Sequence, residues 1–164
     1  MTPASLEPHL LLESMAFAVE IHRDTSLLDV LDVLAVRRIL EPAAAVLATA
    51  RATVEDVHRL RALLAEVDTT TSVDRPVAHD LEFHRSLSAL SGNTYLVGVL
   101  DGLSSWTSRA RVWRGLTEDQ AVERTLAEHG ATVGAVAAGD AALVRARTMV
   151  HLSGVEDWLR RARA

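Results

Sequence analysis

Asp80 and His84 lie four residues apart in the sequence D-L-E-F-H. In an α-helix this spacing places two side chains on nearly the same side, one turn apart. A carboxylate and an imidazole so placed could bind one divalent metal ion, or they could hydrogen-bond each other on a solvated face. His9 and Glu13 have the same spacing, and about two such pairs are expected by chance from seven His and 22 acidic residues in 164 positions. The spacing alone therefore leaves both alternatives open.

The composition is typical of one soluble domain that is large enough to bury a core, with 49% hydrophobic and 24% charged residues. Aromatic residues are few, whereas Ala, Leu, Val and Arg are plentiful, which favours helices over sheets. The lack of cysteine excludes disulfides and thiolate metal sites. A net charge of −5 argues against nucleic-acid binding by this chain itself. Because neither a long apolar run nor a signal-peptide pattern is present, we expect a cytoplasmic protein.

Helical periodicity covers most of the chain and predicts an all-α antiparallel bundle of six to seven helices. Residues 1–8 are polar and carry two prolines, so we interpret them as a linker remnant before a single domain at 9–164. A first helix is expected at His9–His22. A longer helical pattern runs from Leu27 to about Ala50 with Pro42 inside it, and this proline should kink the helix or split it in two.

Capping and turn residues predict where the later helices begin and end. Residues 53–56 (T-V-E-D) and 117–120 (T-E-D-Q) both have the spacing of a capping box and are expected to start helices. Residues 91–93 (S-G-N) and Gly139 offer positions that tolerate positive φ and are expected to end them. Between these signals a helix is predicted from about Thr94 to Trp113.

Three histidines interrupt otherwise apolar stripes of three predicted helices: His84, His129 and His151. Taken singly, a buried histidine is more often a hydrogen-bonded core residue than a metal ligand. Taken together with Asp80, the three could converge, because metal sites in helical bundles are built from side chains on facing helices.

Three segments resemble the FCD domain, the ligand-binding FadR C-terminal domain of GntR-superfamily, FadR-type transcription regulators. Residues 80–93 are similar to its D-x-x-F-H…S-G-N segment. Residues 33–50 are similar to its opening helix, which has an Arg, a Glu four positions later and an Ala-rich run. Residues 127–151 are similar to its closing E-H…G-D…H segment. The resemblance covers roughly Leu27 to Trp158, most of the chain.

The resemblance implies a metal site. In the metal-binding members of the family the ligands are one Asp and three His, and this pattern corresponds to Asp80, His84, His129 and His151. Such a ligand set suits one borderline divalent ion, of which Zn²⁺ is our first expectation, with Ni²⁺, Co²⁺ and Mn²⁺ as alternatives.

Effector binding is the second implication of the resemblance, and a small organic acid is the expected effector. Arg37 could form a surface ion pair with Glu41, or it could present a guanidinium fork to a carboxylate in the pocket. We expect the second arrangement, with Asn93 and Arg109 as further effector-binding residues.

Arg109 belongs to a group of three arginines near the end of the helix predicted at 94–113, together with Arg111 and Arg114. Cations are favoured at the C-terminal turn of a helix, so a solvated position is expected for this group. Arg109 is taken as the one that could instead face the pocket.

The resemblance therefore implies the effector-binding and dimerising domain of a transcription regulator, a homodimer and not an enzyme. Operator DNA would be bound through an N-terminal winged helix-turn-helix that we do not find in this chain. The alternative is a metal-dependent hydrolase or lyase acting on a small carboxylic acid, which needs a general base besides the ligands. Glu82 and Glu128 are near in sequence, but each points about 100° away from its neighbouring ligand on a helix. A purely structural metal site is a third possibility.

Overall fold

A computed structural model describes residues 27–66, 74–118 and 120–163; the helix predicted at His9–His22 lies outside the described residues. This part of the chain forms six helices and no strand, which confirms the predicted all-α bundle. None of the helices in it is long and apolar enough to cross a membrane. The helices are α1 (Leu27–Thr49), α2 (Val54–Ala65), α3 (Asp74–Ala89), α4 (Thr94–Thr117), α5 (Ala121–Ala137) and α6 (Ala141–Arg163).

Helix α1 lies at the centre of the bundle and contacts α3, α4, α5 and α6. It continues through Pro42 as one element, so the alternative in which this proline divides the helix is excluded. A proline inside a helix removes one backbone hydrogen bond and crowds the preceding turn. The Pro42 side chain is fully buried among the surrounding helices, and this packing offsets that cost.

The predicted start of α2 and the predicted ends of α3 and α5 are confirmed. The Thr53 hydroxyl accepts a hydrogen bond from the backbone N–H of Asp56, and the Asp56 carboxylate accepts one from the N–H of Thr53. Gly92 and Gly139 follow α3 and α5 with φ of +68° and +67°, a region that residues with a Cβ rarely adopt.

The capping box predicted at residues 117–120 is wrong. Helix α4 continues to Thr117, and Glu118 ends it with its backbone N–H bonded to the carbonyl of Arg114. The Arg114 guanidinium also pairs with the Glu118 carboxylate at 2.6 Å, which holds an extra turn beyond the predicted end at Trp113. Gln120 then precedes α5 in a left-handed conformation, with no capping bond from its side chain.

Two clusters of buried apolar residues divide the described core. The larger lies where α2, α3 and α5 meet the C-terminal part of α1, and it contains Ala45, Ala48, Val57, Leu60, Phe83, Leu87, Val133, Ala135, Val136 and Val144. The smaller joins the first turns of α1 to the last turns of α6, and it contains Val30, Leu31, Leu34, Val155, Trp158 and Leu159. Between the two clusters, α1 and α6 carry buried polar residues, and this is where the candidate site lies.

Candidate metal centre

Four residues from three helices converge in the core: Asp80 and His84 of α3, His129 of α5 and His151 of α6. Each offers one ligand atom, and these atoms all lie within 4.8 Å of one another. The three imidazoles are buried and Asp80 is partly buried. The structure therefore brings together all four residues that were predicted as ligands.

The Asp80 carboxylate lies between two of the imidazoles. Its Oδ1 atom is 3.6 Å from Nε2 of His84 and 3.4 Å from Nε2 of His129. A separation of 3.6 Å is too long for a hydrogen bond. It is close to the roughly 3.3 Å that separates neighbouring ligands around a tetrahedral ion with bonds of 2.0–2.1 Å. The spacing between Asp80 and His84 is therefore that of two neighbouring ligands of one metal ion, and not that of a hydrogen-bonded pair.

The outward-facing nitrogens of two imidazoles are held by carboxylates from other helices. Nδ1 of His84 lies 2.9 Å from Oε2 of Glu41 on α1. Nδ1 of His151 lies 2.8 Å from Oε2 of Glu128 on α5. A metal-binding imidazole usually donates its other N–H to a carboxylate or carbonyl, which fixes the tautomer and the ring orientation. Both contacts direct Nε2 toward the centre of the cluster.

His129 is positioned by stacking. Its ring lies 3.9 Å, centroid to centroid, from the ring of Phe83, at an interplanar angle of 16°. Phe83 belongs to the larger apolar cluster and is almost completely buried, so this contact fixes the plane of the imidazole. The ring centres of the three histidines then lie 4.6 to 5.2 Å apart.

Charge and burial compete at the ionisable groups of the site. Burial alone would raise the pKa of Glu41, but the Arg37 guanidinium and His84 hold it well below its usual range. Burial would lower the pKa of His84, but Glu41 and Asp80 outweigh this effect and raise it. At His151 burial prevails over the contact with Glu128, and the pKa is lowered. The Glu41 carboxylate is therefore ionised, and the imidazoles of His84 and His151 differ in basicity.

The residues fit a borderline divalent ion. Three imidazole nitrogens and one carboxylate oxygen form a donor set suited to Zn²⁺, Ni²⁺ or Co²⁺. Within the described residues, Nε2 of His84 is buried without a hydrogen-bond partner, although a buried polar atom normally has one. A metal ion bound at this nitrogen would satisfy it.

Arg37 lies beside the cluster and lines a cavity of about 60 Å³. Its Nε donates to Oε1 of Glu41 at 2.5 Å, and its Nη1 donates to Oγ1 of Thr107 at 2.9 Å. Its third nitrogen, Nη2, is buried and makes no hydrogen bond to the described residues. Arg37 thus pairs with Glu41 as the first alternative predicts, but the pair is buried and not on the surface, and Arg37 also lines the cavity.

All six helices contribute to the cavity wall. Its polar residues include Asp80, His129 and His151 of the cluster, and the rest of the wall is mostly aliphatic. The lining residues comprise Arg37, Asp80, Arg114, His129 and His151 together with Leu63, Leu64, Val77, Val122, Leu126, Leu152 and Val155.

The other two predicted effector-binding residues differ in what the structure says of them. Asn93 is exposed and is not among the lining residues; its carbonyl oxygen accepts a hydrogen bond from the N–H of Leu96 and caps α4. The side chain of Arg109 lies outside the described part of the chain. Arg114, which was expected on a solvated turn, is instead buried and lines the cavity.

Sequence reasoning missed the contacts between helices that complete the site. From the sequence, the direction of Glu128 was compared only with that of its neighbour His129, whereas in the structure Glu128 pairs with His151 on the following helix. Glu41 was assigned to Arg37 alone, although its second oxygen lies beside His84. The spacing of Arg114 and Glu118, four residues apart, was a usable signal for the longer α4.

An all-α bundle with a cluster of four candidate metal-binding residues beside a cavity is typical of helical domains that hold a cofactor or ligand between their helices. The FCD domain family model matches residues 32–154, well over half of the chain, and the chain belongs to this family. The resemblance predicted from the sequence is thus confirmed. The HTH-type transcriptional regulator LutR of Bacillus subtilis (strain 168) is 31% identical over 138 residues, which are 80% of this chain and 62% of that regulator. The chain thus spans less than two thirds of the length of this relative.

Proposed function

We propose that this chain is the effector-binding and dimerisation domain of a GntR/FadR-type transcription regulator, and that it senses a small organic acid at a protein-bound divalent metal. The observation that carries the proposal is the convergence of Asp80, His84, His129 and His151 beside a cavity that Arg37 also lines. One nitrogen of Arg37 is buried without a hydrogen-bond partner among the described residues. The family membership supports the regulatory role.

The four converging side chains would hold the ion, with Zn²⁺ as the first expectation. When bound, the ion supplies a positive centre in a low-dielectric core, which attracts an anion. Other residues of the chain position the three imidazoles. Glu41 and Glu128 orient two of the imidazoles, and Phe83 orients the third.

Arg37 would bind the acid from the other side. Its Nε and Nη1 are already occupied by Glu41 and Thr107, so the guanidinium is fixed before a ligand arrives. Nη2 is then available to a carboxylate, and a charge-assisted bond of this kind favours acids over neutral ligands. The cavity of about 60 Å³ is small, which favours a small acid as the effector.

A regulator is better supported than the hydrolase or lyase alternative. A hydrolytic site needs a base that can reach a water molecule or substrate. Glu128 is the nearest candidate, but it is occupied with Nδ1 of His151, as expected of a group that orients a ligand. Glu82 is exposed and accepts a hydrogen bond from Ser86 on the outer face of α3.

The contacts of Arg37 also suggest how binding could be transmitted. This residue lies on α1, bonds Thr107 on α4 and reaches α3 through Glu41 and His84. An acid that binds Arg37 and the metal together stabilises one arrangement of these helices over others, and this difference is what a two-state regulator requires. In a homodimer the change would reach two winged helices on DNA, which a longer protein would supply. Light scattering at micromolar concentration should give the dimer mass, and a monomer mass would contradict dimerisation.

Calorimetry against lactate-, citrate- and sugar-acid-like ligands tests acid binding. Wild-type protein as purified should bind one of these acids, and both metal-stripped protein and Arg37→Ala should bind it more weakly. We expect Arg37→Ala to lose about one to three kcal/mol, the range for a charged hydrogen bond. Arg38→Ala is the matched control, because Arg38 is the next residue but pairs with Glu156 outside the cavity. Equal affinity in all preparations, or turnover of the acid, would contradict the proposal.

A further inference from the structure

Arg114, in the last turns of α4, is a second buried guanidinium in the wall of the cavity. It is only 5% exposed, and its Nε donates to Oε2 of Glu118 at 2.6 Å. No hydrogen bond from its terminal nitrogens to another described residue is observed, and they are not among the fully enclosed donors that lack a partner. These donors can therefore reach the cavity that Arg114 lines, where a carboxylate could accept hydrogen bonds from them.

Among the described residues, the Arg114 end of the cavity carries an excess of positive charge. Glu118 pairs not only with Arg114 but also with Arg124 at 2.9 Å and with Arg161 at 3.6 Å. Three guanidinium groups therefore share one carboxylate. Burial would raise the pKa of Glu118, but the hydrogen bonds from Arg114 and Arg124 outweigh it and lower the pKa, so this carboxylate is already committed. A further anion would be favoured here.

Arg37 and Arg114 lie at different levels along α4. Arg37 is bonded to Thr107, and Arg114 follows Thr107 by seven residues, which is two helical turns or about 10 Å along the axis. The guanidinium of Arg37 is held at Thr107 and that of Arg114 at Glu118, which follows Thr107 by eleven residues, so the two groups offer separate binding points for two carboxylates. The lining residues from α5 and α6 include Leu126 and Val155, which suit a short hydrocarbon segment between two charged ends.

We propose that Arg114 forms a second anion subsite and that the effector is a short dicarboxylate rather than a monocarboxylate. One carboxylate binds at the metal and Arg37, and the other binds Arg114, with a chain of about four to six carbons overall to match the separation along α4. This inference rests on the proposed function and specifies its ligand.

Matched pairs of acids test the inference by calorimetry on the protein as purified: succinate against butyrate, glutarate against valerate, and adipate against hexanoate. Wild-type protein should bind at least one dicarboxylate tenfold or more tightly than its partner. Arg114→Gln should weaken the dicarboxylate by about tenfold to a hundredfold, the range for a charged hydrogen bond, and change the monocarboxylate less than twofold. Arg114→Lys, which keeps the charge, should retain part of the preference.

Two control variants separate the subsite from the stability of the helix end. Glu118→Gln removes the partner of Arg114 but leaves its guanidinium in the wall, and Arg161→Gln removes a nearby positive charge outside it. Both should keep the preference for two carboxylates, since the ratio of affinities does not depend on how much protein is folded.

Three outcomes would overturn the subsite. Equal affinity of wild-type protein for both members of every pair is the first, and an equal loss for both acids in Arg114→Gln is the second. In either case, monocarboxylate binding that depends on the metal and Arg37 would leave the proposed function standing. The third outcome, no binding of any carboxylate by wild-type protein, would remove the proposed function as well.

Discussion

Two adjacent arginines of α1, Arg37 and Arg38, belong to ion-pair networks in opposite surroundings. Arg37 is 1% exposed and forms what we call the inner network with Glu41, Thr107 and His84. The side chain of Arg38 is 36% exposed and forms the outer network with Glu156 and Arg160. The two networks start one residue apart and share the same charge types, so they differ chiefly in their access to water.

This difference separates a functional network from a supporting one. A buried ion pair loses the hydration of both charges, and hydrophobic residues in its place are often as stable or more stable. The inner network bears this cost and in addition leaves Nη2 of Arg37 without a partner among the described residues. Its contacts with the candidate metal site and the cavity supply a reason for the arrangement. The outer network is partly exposed: Arg38 and Arg160 reach solvent, whereas Glu156 is buried and Nε of Arg38 also lacks a hydrogen-bond partner among the described residues. Water screens its ion pairs more than those of the inner network, so each should contribute less to stability.

The largest effect is expected from removing the charge of Glu41. Glu41→Gln leaves Arg37 and His84 buried without their counter-ion and should lower the free energy of unfolding by about 3–5 kcal/mol. Arg160→Ala, in the outer network, should lower it by no more than about 1 kcal/mol. Urea denaturation of both variants in the presence of a chelator makes the comparison independent of metal. Similar losses in the two variants would mean that burial does not distinguish the networks.

Removal of the metal should have the next largest effect on stability, and this effect should depend on the histidines of the candidate metal centre. At a free metal concentration of one hundred times Kd, binding to the folded state adds about 2.7 kcal/mol of stability. For a chain of this length, a chelator should then lower Tm by roughly 5–10 °C. His129→Ala should show no such response. A chelator-sensitive Tm in this variant would place the metal elsewhere.

The smallest effect is in the pH dependence of the two networks. The hydrogen bond from Arg160 lowers the pKa of Glu156, and burial opposes this shift. At Glu41 burial opposes the shift more strongly, but Arg37 and His84 outweigh it and lower the pKa further than that of Glu156. A lowered carboxyl pKa gives stability that is complete above the unfolded value of 4.5 and is lost as the pH falls toward the folded value.

Glu41→Gln and Glu156→Gln each lower the free energy of unfolding relative to wild type. Both losses should begin to shrink below about pH 4.5. The Glu156→Gln penalty should vanish first, because its folded pKa is closer to 4.5. Denaturation series between pH 3 and 7 would measure this order. The reverse order would contradict the assignment of the inner network as the more strongly coupled one.

Periodicity and turn chemistry were sufficient to predict the bundle and most helix ends from the sequence. The capping box at residues 53–56 and the glycines after α3 and α5 act through neighbours in sequence, so local rules describe them well. Residues 117–120 satisfied the same local rule but did not start a helix. There, Arg114 pairs with Glu118 and α4 extends to Thr117; this pairing lies four residues apart in sequence, but the capping-box rule does not take it into account.

The four residues that converge in the candidate site could be predicted from the sequence, but the contacts that support them could not. The four were assigned as ligands through the family resemblance, with the apolar stripes as an independent indication for the histidines. The contacts of Glu41 with His84 and of Glu128 with His151 join separate helices, and they depend on how those helices pack. No spacing rule within one helix specifies such contacts. The burial of Arg114 has the same origin, because the wall in which it lies is built by all six helices.

Elemental analysis of the purified protein tests the central claim most directly. We expect about one divalent ion per chain in wild-type protein, and none in His129→Ala or His151→Ala, because each substitution removes one of four ligands. His79→Ala is the matched control: His79 precedes Asp80 on α3 and lines the same cavity but is not part of the cluster, so this variant should keep its metal. Full occupancy in both His129→Ala and His151→Ala would contradict the account.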